Sequence, residues 1–262
     1  MNTSLDNQTD SIVETRFQDK TVIVTGAGSG IGQAIVIRLV AEGAFVLGID
    51  LNEAGLKQTT LLTSRPERVS IAVASVTDEQ QITEKVNEYI ARQGRLDVLI
   101  NMAGIMCATI ATDTTLEQFR SVIDTNLVGT FLMCRVCLPH LLITKGNIVN
   151  AASTAGLHGH PYMVAYAASK GGVIALTKSL AREYIRQGVR VNAVAPGGTA
   201  TPLVFTMKFP AGIDQSLFAN LQLPDRAMAQ PSQIAAVVAM IASADGSFIN
   251  GEVIRIDGGC HT

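Results

Sequence analysis

Short apolar runs rich in β-branched residues alternate with longer segments of helical character along most of the chain. The runs are continuously apolar, as in Thr21–Thr25, and this pattern is typical of strands that are buried on both faces. Because strand and helix patterns alternate, the sequence predicts a parallel β-sheet that carries helices on both faces. The seven predicted strands cover residues 21–25, 44–49, 69–73, 98–100, 147–150, 190–193 and 253–256.

The longer segments predict six helices, and glycine ends three of them, as is common at helix C-termini. Residues 199–224 fit neither period and combine prolines with large apolar side chains. We interpret this segment as a lid, because a long irregular stretch in a compact domain is often functional. The predicted helices cover residues 31–42, 52–63, 78–92, 116–143, 165–187 and 231–243.

A chain of 262 residues with 47% hydrophobic and 16% charged residues can bury about three quarters of its surface, which predicts one domain with a large core. We place this single α/β domain at residues 19–262 and interpret the polar residues 1–18 as a flexible tail. The net charge is −2 without a cluster of one sign, so neither nucleic acid nor a membrane surface is expected as a partner.

The compartment is inferred from three further features. The longest weakly polar run, residues 98–112, is shorter than the roughly 18 residues of a membrane span. The first residues lack the basic and apolar regions of a signal peptide, and four cysteines are too few for a disulfide framework in this length. We therefore expect a cytoplasmic protein.

A glycine-rich segment, Thr25-Gly26-Ala27-Gly28-Ser29-Gly30-Ile31-Gly32, lies where the first predicted strand turns into the first helix. Gly26 suits the tight turn, Gly30 a close approach to pyrophosphate and Gly32 close packing of helix against strand. The free N–H groups of the helix N-terminus favour phosphate. Glycine alone is a weak signal, but this context predicts a Rossmann-like, doubly wound fold that binds a dinucleotide.

Asp50 ends the second predicted strand, where its carboxylate is placed to accept hydrogen bonds from the adenosine ribose hydroxyls. The alternative interpretation is a solvated acidic residue in a loop. A 2′-phosphate at this position would be repelled by the carboxylate and would need a cation, whereas Ser29 and Leu51 are uncharged. The sequence therefore favours NAD over NADP.

Tyr166 and Lys170 are four residues apart on a predicted helix, so their side chains share one face. A phenol titrates near pH ~10, and a base that works near neutrality needs about 3 to 4 kcal/mol of phenolate stabilisation. An ammonium about 4 Å away supplies about that much at an effective dielectric constant of ~20. The pair predicts a tyrosine acid/base whose pKa the lysine lowers.

Four motifs resemble those of the classical short-chain dehydrogenase/reductase family, and the resemblance covers nearly all of the chain after the tail. They are the glycine-rich turn, an Asn-Asn-Ala-Gly segment, an asparagine on a helix, and a set of Ser, Tyr and Lys. The matching residues are Gly26, Gly30, Gly32, Asn101, Ala103, Gly104, Asn126, Ser153, Tyr166 and Lys170.

The resemblance implies an alcohol or ketone oxidoreductase with four catalytic residues. Tyr166 would exchange a proton with the substrate oxygen, and Ser153 would hold that oxygen by a hydrogen bond. Lys170 would lower the pKa of Tyr166 and bind the nicotinamide ribose, and Asn126 would order a water that carries protons onward. Residues 196–201 resemble the family's contact to the nicotinamide carboxamide, and residues 257–259 its closing strand signature.

Two departures from the family pattern are expected to weaken cofactor binding without removing a catalytic group. Met102 replaces the second asparagine, and Ser75-Val76 stands where Asp-Val is usual near the adenine. The implied cofactor residues are Gly26, Ser29, Gly30, Ile31, Asp50, Leu51, Ser75, Val76, Asn101, Ala103, Gly104, Tyr166, Lys170, Pro196, Gly197, Thr199 and Thr201.

The composition of the lid predicts a small apolar or alicyclic substrate. Tyr162 is eight residues from Lys170 and is interpreted as a pocket residue rather than as the acid/base, and His158 and His160 as loop or pocket-wall residues. The candidate pocket residues are Ile105, Met106, Ser153, His158, Tyr162, Tyr166, Gly198, Leu203, Phe205, Met207 and Phe209.

Two alternative functions stay open. One is a 3-oxoacyl-carrier-protein reductase of the same family, but such enzymes typically prefer NADP and carry basic residues where this chain has Thr144 and Gln187. The other is a non-catalytic, nicotinamide-binding regulatory protein, which would not need to keep the four catalytic residues.

The resemblance also implies a homotetramer built on the helices predicted at 116–143 and 165–187. No metal site is expected. Cys134 and Cys137 lie in a helical segment without a second pair, so we expect them in the core, and the last residues, including His261, are interpreted as a tail.

Overall fold

The computed structural model describes residues 15–218, 221 and 228–262. Within this part of the chain, seven strands form a single sheet in which every pair of neighbours is parallel. The strands are β1 (Thr21–Thr25), β2 (Phe45–Asp50), β3 (Val69–Val73), β4 (Val98–Asn101), β5 (Asn147–Ala151), β6 (Arg190–Pro196) and β7 (Val253–Ile256). Their order is β3-β2-β1-β4-β5-β6-β7, which confirms the predicted doubly wound fold.

Three of the eight α-helices in the described chain begin where a polar side chain accepts a hydrogen bond from a free N–H group of the first turn. Asn52 accepts a hydrogen bond from the Gly55 N–H and Asp78 from the Gln81 N–H, while Thr115 and Gln118 form a reciprocal capping box. The helices are α1 (Gly30–Ala41), α2 (Glu53–Leu62), α3 (Glu79–Gln93), α4 (Leu116–Ile123), α5 (Gly129–Thr144), α6 (Val164–Glu183), α7 (Pro202–Phe205) and α8 (Pro231–Ala242).

Alternate side chains of the strands pack into two apolar layers, one on each face of the sheet. On one face, β1 to β6 pack against α3, α5 and α6, where Cys134 and Cys137 are buried in the core as expected. On the other face, the strands pack against α1, α2 and α8. The central strands β1, β2, β4, β5 and β6 are buried on both faces, which explains their continuous apolar runs, whereas the edge strands β3 and β7 are only partly buried.

The helix predicted at 116–143 contains a turn that the sequence pattern did not reveal. Residues Asp124–Val128 form a π-helical turn between α4 and α5, in which the Gly129 N–H donates to the Asp124 carbonyl. By length and composition, Leu116–Thr144 is the one candidate for a membrane span among the described residues. In this fold it packs against α3 and the sheet, with 44% of its apolar window buried.

The domain begins earlier in the chain than predicted. Phe17 is 1% exposed and belongs to the core layer of α1 and α8, and the Arg16 guanidinium pairs with the buried Glu42 carboxylate at 2.7 Å. Residues 15–18 are therefore part of the domain rather than of a tail, because one large aromatic side chain is anchored beneath α1. Residues 1–14 lie outside the described residues.

The strand order reverses between β1 and β4, and this reversal positions the functional site. The chain leaves β1 towards β2 and β3 on one side, and returns through β4 to the other side. In open α/β sheets the carboxyl ends of the strands form a crevice at such a switch point, which is where ligands bind.

Candidate active site

The glycine-rich turn is shaped by two close backbone approaches. Gly26 has φ +66°, and a Cβ there would lie 2.8 Å from the Ala103 N and the Met102 carbonyl carbon. A Cβ on Gly32 would overlap the Gly26 carbonyl oxygen. Both positions therefore require glycine, as the sequence predicted for a turn that packs the first helix against the first strand.

Thr25 fastens this turn to the end of β4, a role that the sequence analysis missed. Its Oγ1 accepts hydrogen bonds from the N–H groups of Met102 and Ala103, both at 3.1 Å. Threonine as the last residue of a buried strand, directly before the first glycine, is the signal that could have indicated it.

A cavity of about 380 Å³ opens between this turn and the ends of β2, β3 and β4. The Ser29 side chain does not cap α1, so the N-terminus of this helix faces the cavity without a competing side-chain acceptor. Thr125 and Thr206 line it as well but were not predicted. The predicted cofactor residues in its wall are Gly26, Ser29, Gly30, Ile31, Asp50, Leu51, Ser75, Val76, Ala103, Gly104 and Thr201.

Asp50 organises the floor of the cavity through both carboxylate oxygens. Oδ2 accepts from the Gly28 N–H and Oδ1 from the Asn52 N–H, each at 2.9 Å. Asp50 thus links the glycine-rich turn to the N-cap of α2, and its carboxylate also borders the cavity. The shape and donor set of this space fit the adenosine half of a dinucleotide.

A second cavity of about 110 Å³ continues from the first at the ends of β5 and β6. The two share Ile31, Met102, Gly104, Thr201 and Leu203 as lining residues, so they form one cleft. The second cavity brings together three of the four predicted catalytic residues with the predicted carboxamide contacts. These are Ser153, Tyr166, Lys170, Pro196, Gly197, Thr199 and Thr201.

Tyr166 and Lys170 lie one helical turn apart on α6 and face the same cavity. The Lys170 Nζ lies 5.7 Å from the centroid of the Tyr166 ring and donates a 2.6 Å hydrogen bond to the Ala151 carbonyl. Burial lowers the pKa of Lys170 to about 8. Lys170 is 4% exposed, so its ammonium is held out of water and is hydrogen-bonded to a backbone carbonyl.

The pKa of Tyr166 differs in direction from the sequence prediction. Burial raises it above the usual value for tyrosine, although a hydrogen bond with Ser153 acts in the opposite direction. The Lys170 ammonium alone does not offset this rise. The physical reason is that the half-buried Tyr166 loses solvation of its phenolate, and the ammonium is bonded to the Ala151 carbonyl instead of to the phenol oxygen.

The π-helical turn places Asn126 inside the protein, where it is 0% exposed. Its Oδ1 accepts from the Ile105 N–H at 2.8 Å, and its Nδ2 donates to the Ile105 carbonyl at 2.9 Å and to Ser169 Oγ at 3.0 Å. A Cβ on Gly104 would lie 3.1 Å from Asn126 Oδ1 and 3.6 Å from Lys170 Nζ. Asn126 therefore fixes the loop after β4 beside Lys170.

Asn101 does not present its side chain to the cleft. Its Nδ2 donates to Asn150 Oδ1 at 2.9 Å and lies 3.4 Å from Cys134 Sγ, on the buried side of the sheet towards α5. Asn101 is the last residue of β4 and alternates with Met102, so the pleat of the strand directs its amide away from the cofactor. Asn101, which the sequence predicts as a cofactor residue, therefore directs its side chain away from the cleft.

The predicted pocket residues separate into two groups. Ile105, Met106 and Leu203 line the cleft, together with Val204, which was not predicted. Phe205 is 68% exposed and Phe209 is exposed as well, and neither borders either cavity. The four-residue helix α7 explains the difference, because a helical turn directs Leu203, itself 38% exposed, and Val204 to the cleft and Phe205 away from it.

The other predicted wall residues lie beside the cleft rather than in it. Tyr162 has φ +62°, its hydroxyl accepts from the Asp214 N–H, and its ring stacks on Phe218 at 5.8 Å. His158 is exposed, and Gly198 lies against Met228. Met207 is half-buried outside the lining of both cavities, and residues 219, 220 and 222–227 of the predicted lid lie outside the described residues.

Among the described residues, no group of three or more His, Cys, Asp or Glu side chains is arranged to hold a metal ion. Burial raises the pKa of Cys134 to about 12, which makes its thiol inert at neutral pH.

Known proteins resemble this chain over almost its full length. A family model described as enoyl-(acyl carrier protein) reductase matches residues 26–261. The 3-oxoacyl-[acyl-carrier-protein] reductase FabG of Thermotoga maritima is 37% identical, covering 93% of this chain and 98% of the relative. Meso-2,3-butanediol dehydrogenase of Serratia marcescens is 38% identical, with 93% and 95% covered, and levodione reductase of Leifsonia aquatica is 39% identical, with 94% and 95% covered.

Solved structures agree with this relationship. The crystal structure of levodione reductase matches with a TM-score of 0.84 and 36% identity over 93% of this chain and 98% of that chain. A short chain dehydrogenase from Mycobacterium paratuberculosis bound to NAD matches with a TM-score of 0.86 and 26% identity over 94% and 98%. The chain belongs to the short-chain dehydrogenase/reductase family, and it is an oxidoreductase with a nicotinamide cofactor.

Proposed function

We propose that this protein interconverts a small, neutral secondary alcohol and the corresponding ketone with NAD as its cofactor. The observation that carries the proposal is the shared cavity of Ser153, Tyr166 and Lys170, which continues into the cleft of the glycine-rich turn and Asp50. A nicotinamide end and an adenosine end are thereby joined in one groove at the switch point of the sheet.

The residues of this chain perform the proton chemistry. When bound, the nicotinamide supplies or accepts the hydride. In alcohol oxidation the Tyr166 phenolate takes the hydroxyl proton, and in ketone reduction the neutral phenol returns it to the same oxygen. Ser153 is hydrogen-bonded to Tyr166 and is placed to hold the substrate oxygen beside it.

Lys170 and Asn126 support this exchange. The buried ammonium of Lys170 is placed to hydrogen-bond the nicotinamide ribose, and with the positive charge of the oxidised ring it offsets the burial that raises the Tyr166 pKa. Asn126 fixes the Ile105 backbone beside Lys170, and we propose that it also orders the water that passes protons onward.

NAD is preferred because the Asp50 carboxylate borders the adenosine end of the cleft. A 2′-phosphate would bring like charges together there. The test compares kcat/KM for NAD and NADP in the wild type and in Asp50→Asn, which removes the charge but keeps an oxygen acceptor for the turn. We expect at least about a tenfold NAD preference, equal to about 1.4 kcal/mol, that shrinks in the variant.

Glu67→Gln is the matched control, since it removes one negative charge from an exposed residue outside the cleft. It should leave the cofactor preference unchanged. A wild-type preference for NADP would refute the assignment of NAD.

The substrate class follows from the cleft walls. Met106, Leu203 and Val204 are apolar, and Lys170, already bonded to the Ala151 carbonyl, is the single charged residue lining the catalytic cavity within the described chain. Such walls suit a neutral substrate and leave a carboxylate or phosphate without a partner. Turnover of a panel of secondary alcohols with NAD, including alicyclic alcohols and vicinal diols, tests this proposal.

A 3-oxoacyl-carrier-protein reductase is the second candidate, favoured by the 37% identity to the Thermotoga maritima enzyme. Thr144 and Gln187 are the uncharged residues at the positions where we expect basic contacts to an acidic carrier. A 3-oxoacyl thioester reduced faster than every simple ketone would favour this candidate over the first.

We also propose that the protein is a homotetramer. The helices from Leu116 to Thr144 and α6 carry exposed apolar side chains, among them Phe131, Ile143 and Val164 at 41%, 82% and 45% exposure. A symmetric interface would remove these side chains from water. Light scattering gives the mass directly, and a monomer at micromolar concentration would refute the proposal.

A further inference from the structure

Three of the four histidines in the chain lie together beside the active-site loop. The rings of His158 and His261 stack with centroids 4.2 Å apart and planes 5° apart, and His160 lies 6.1 Å from His261. His140, the fourth, is on α5. Residue 261 is thus packed into the fold, whereas the sequence analysis interpreted the C-terminal residues as a tail.

His261 is anchored to the wall of the catalytic cavity. Its Nδ1 lies 2.9 Å from Asp257 Oδ2, and its carbonyl accepts a 2.8 Å hydrogen bond from Arg255 Nη1. Asp257 in turn packs on Gly197, where a Cβ would lie 2.9 Å from the Asp257 Cβ. Gly197 lines the catalytic cavity, so His261 is fixed to the strand ends that form this wall.

The other two rings belong to the segment that follows Ser153. His158 donates its backbone N–H to the Thr154 carbonyl at 2.8 Å, and His160 Nε2 lies 3.5 Å from Thr154 Oγ1. His158 is exposed, while the His261 side chain beneath it is 11% exposed. The stack therefore joins the segment that begins next to Ser153, after β5, to the part of the cavity wall that follows β6.

One ring of the cluster and the carboxylate beside it have shifted pKa values. Burial and the neighbouring rings of His261 and His158 lower the pKa of His160 to about 4, so this ring is neutral. Burial acts to raise the pKa of Asp257, but the hydrogen bonds from His261 and the Gly259 N–H outweigh it and keep the carboxylate ionised. An ionised Asp257 orients the His261 ring through Nδ1.

We propose that His261 is a positioning residue for Ser153: by stacking on His158 while bound to Asp257, it holds the segment 154–160 and keeps the Ser153 hydroxyl directed at Tyr166. The effect on rate rests on the proposed function. Ser153 Oγ accepts a 3.1 Å hydrogen bond from the Ala155 N–H, so a shift of this segment moves the hydroxyl directly.

The kinetic test uses His261→Ala, His158→Ala and the double variant, with His140→Ala as the matched control. Displacing Ser153 should lower kcat by roughly 10- to 100-fold, since small misplacements of reacting groups have effects of that size. NAD affinity should stay within about twofold, because the adenosine end is untouched. The double variant should be no slower than His261→Ala, because both substitutions remove one contact.

A second measurement does not depend on turnover. The Tyr166 pKa is followed by ¹³Cζ NMR, with Tyr166→Phe identifying its signal among the four tyrosines. Weakening the Ser153 hydrogen bond should raise the Tyr166 pKa in His261→Ala by roughly 0.5 to 1 pH unit. His158→Ala should give the same change from an exposed position, which covers the case in which His261→Ala does not fold.

The outcomes separate this inference from the proposed function. A His261→Ala variant with kcat or a Tyr166 pKa equal to that of the wild type would overturn the positioning role, as would additive losses in the double variant. A wild-type protein that oxidises no secondary alcohol would refute the proposed function, and the Tyr166 titration would then decide the inference by itself.

Discussion

Replacing Lys170 with methionine should make the protein more stable at neutral pH while abolishing its activity. Burial lowers the pKa of Lys170 from its ordinary 10.5 to about 8. At neutral pH the ammonium is protonated in both the folded and the unfolded chain, so folding carries the full cost of burying it. That difference in pKa corresponds to about 3 kcal/mol.

Methionine of similar length removes this cost but leaves the Ala151 carbonyl without the 2.6 Å hydrogen bond from Nζ. An unsatisfied buried carbonyl costs about 1 kcal/mol, so the variant should gain a net ~2 kcal/mol in the free energy of unfolding at pH ~7. Between the folded and unfolded pKa values the unfolded wild type binds more protons, so wild-type stability rises with pH there. The gain should therefore disappear near pH ~10.

Urea denaturation of the wild type and Lys170→Met at several pH values measures this difference. Lys178→Met is the control, because Lys178 is exposed on the same helix and its replacement should change stability by less than about 0.5 kcal/mol. A Lys170→Met variant that is less stable than the wild type at neutral pH would refute the reasoning. A gain in stability that does not change with pH would also refute the reasoning, because the expected pH dependence comes from the titration of Lys170.

Two further substitutions test the corrected boundaries of the domain and of the pocket. Phe17→Ala should lower the free energy of unfolding, measured in urea, by about 3 to 5 kcal/mol, because it empties a fully buried site beneath α1. An effect below about 1 kcal/mol would show that residues 15–18 are not part of the domain. Leu203→Ala should change the KM or the ranking of substrates, because Leu203 lines the cleft, whereas Phe205→Ala, at an exposed neighbouring residue, should change neither. The reverse pattern would show that Phe205 rather than Leu203 faces the substrate.

The sheet and the cofactor turn were predictable because their sequence signals are local. Each strand is a short run rich in apolar residues, and the strands starting at Thr21, Val69 and Val253 have the predicted bounds in the structure. The glycines of the turn are required by backbone contacts within the same strand-turn-helix unit, so the motif contains the geometry. The spacing of Tyr166 and Lys170 likewise places both on one face of one helix.

Features that depend on contacts between distant segments were missed. Phe17 is core because α1 and α8 cover it, and His261 is packed because Asp257 and His158 meet it. Neither contact leaves a periodic signal. The direction of the Tyr166 pKa was also not predictable from the Tyr166–Lys170 spacing, because the loss of phenolate solvation depends on the surrounding fold.

The lid and the π-helical turn show a related difficulty. The large apolar residues of segment 199–224 predicted pocket walls, but the turn of α7 directs Phe205 to solvent and Leu203 to the cleft. An apolar composition does not specify which side chains face inwards in an irregular segment. The extra residue of the π-helical turn, which carries Asn126 inwards, is equally invisible in a sequence pattern that predicts one continuous helix over 116–143.

The central claim is that Tyr166 transfers the proton between the substrate oxygen and the protein. The most direct measurement is kcat for a secondary alcohol at saturating NAD in Tyr166→Phe, with Tyr162→Phe as the matched control, since Tyr162 loses only its bond to the Asp214 N–H. We expect Tyr166→Phe to lose at least roughly 10²-fold in kcat with NAD binding retained, and wild-type alcohol oxidation to rise with pH because it needs the phenolate. Substantial turnover by Tyr166→Phe together with an inactive Tyr162→Phe would contradict the account, and near-wild-type activity in both would remove tyrosine from the proton transfer.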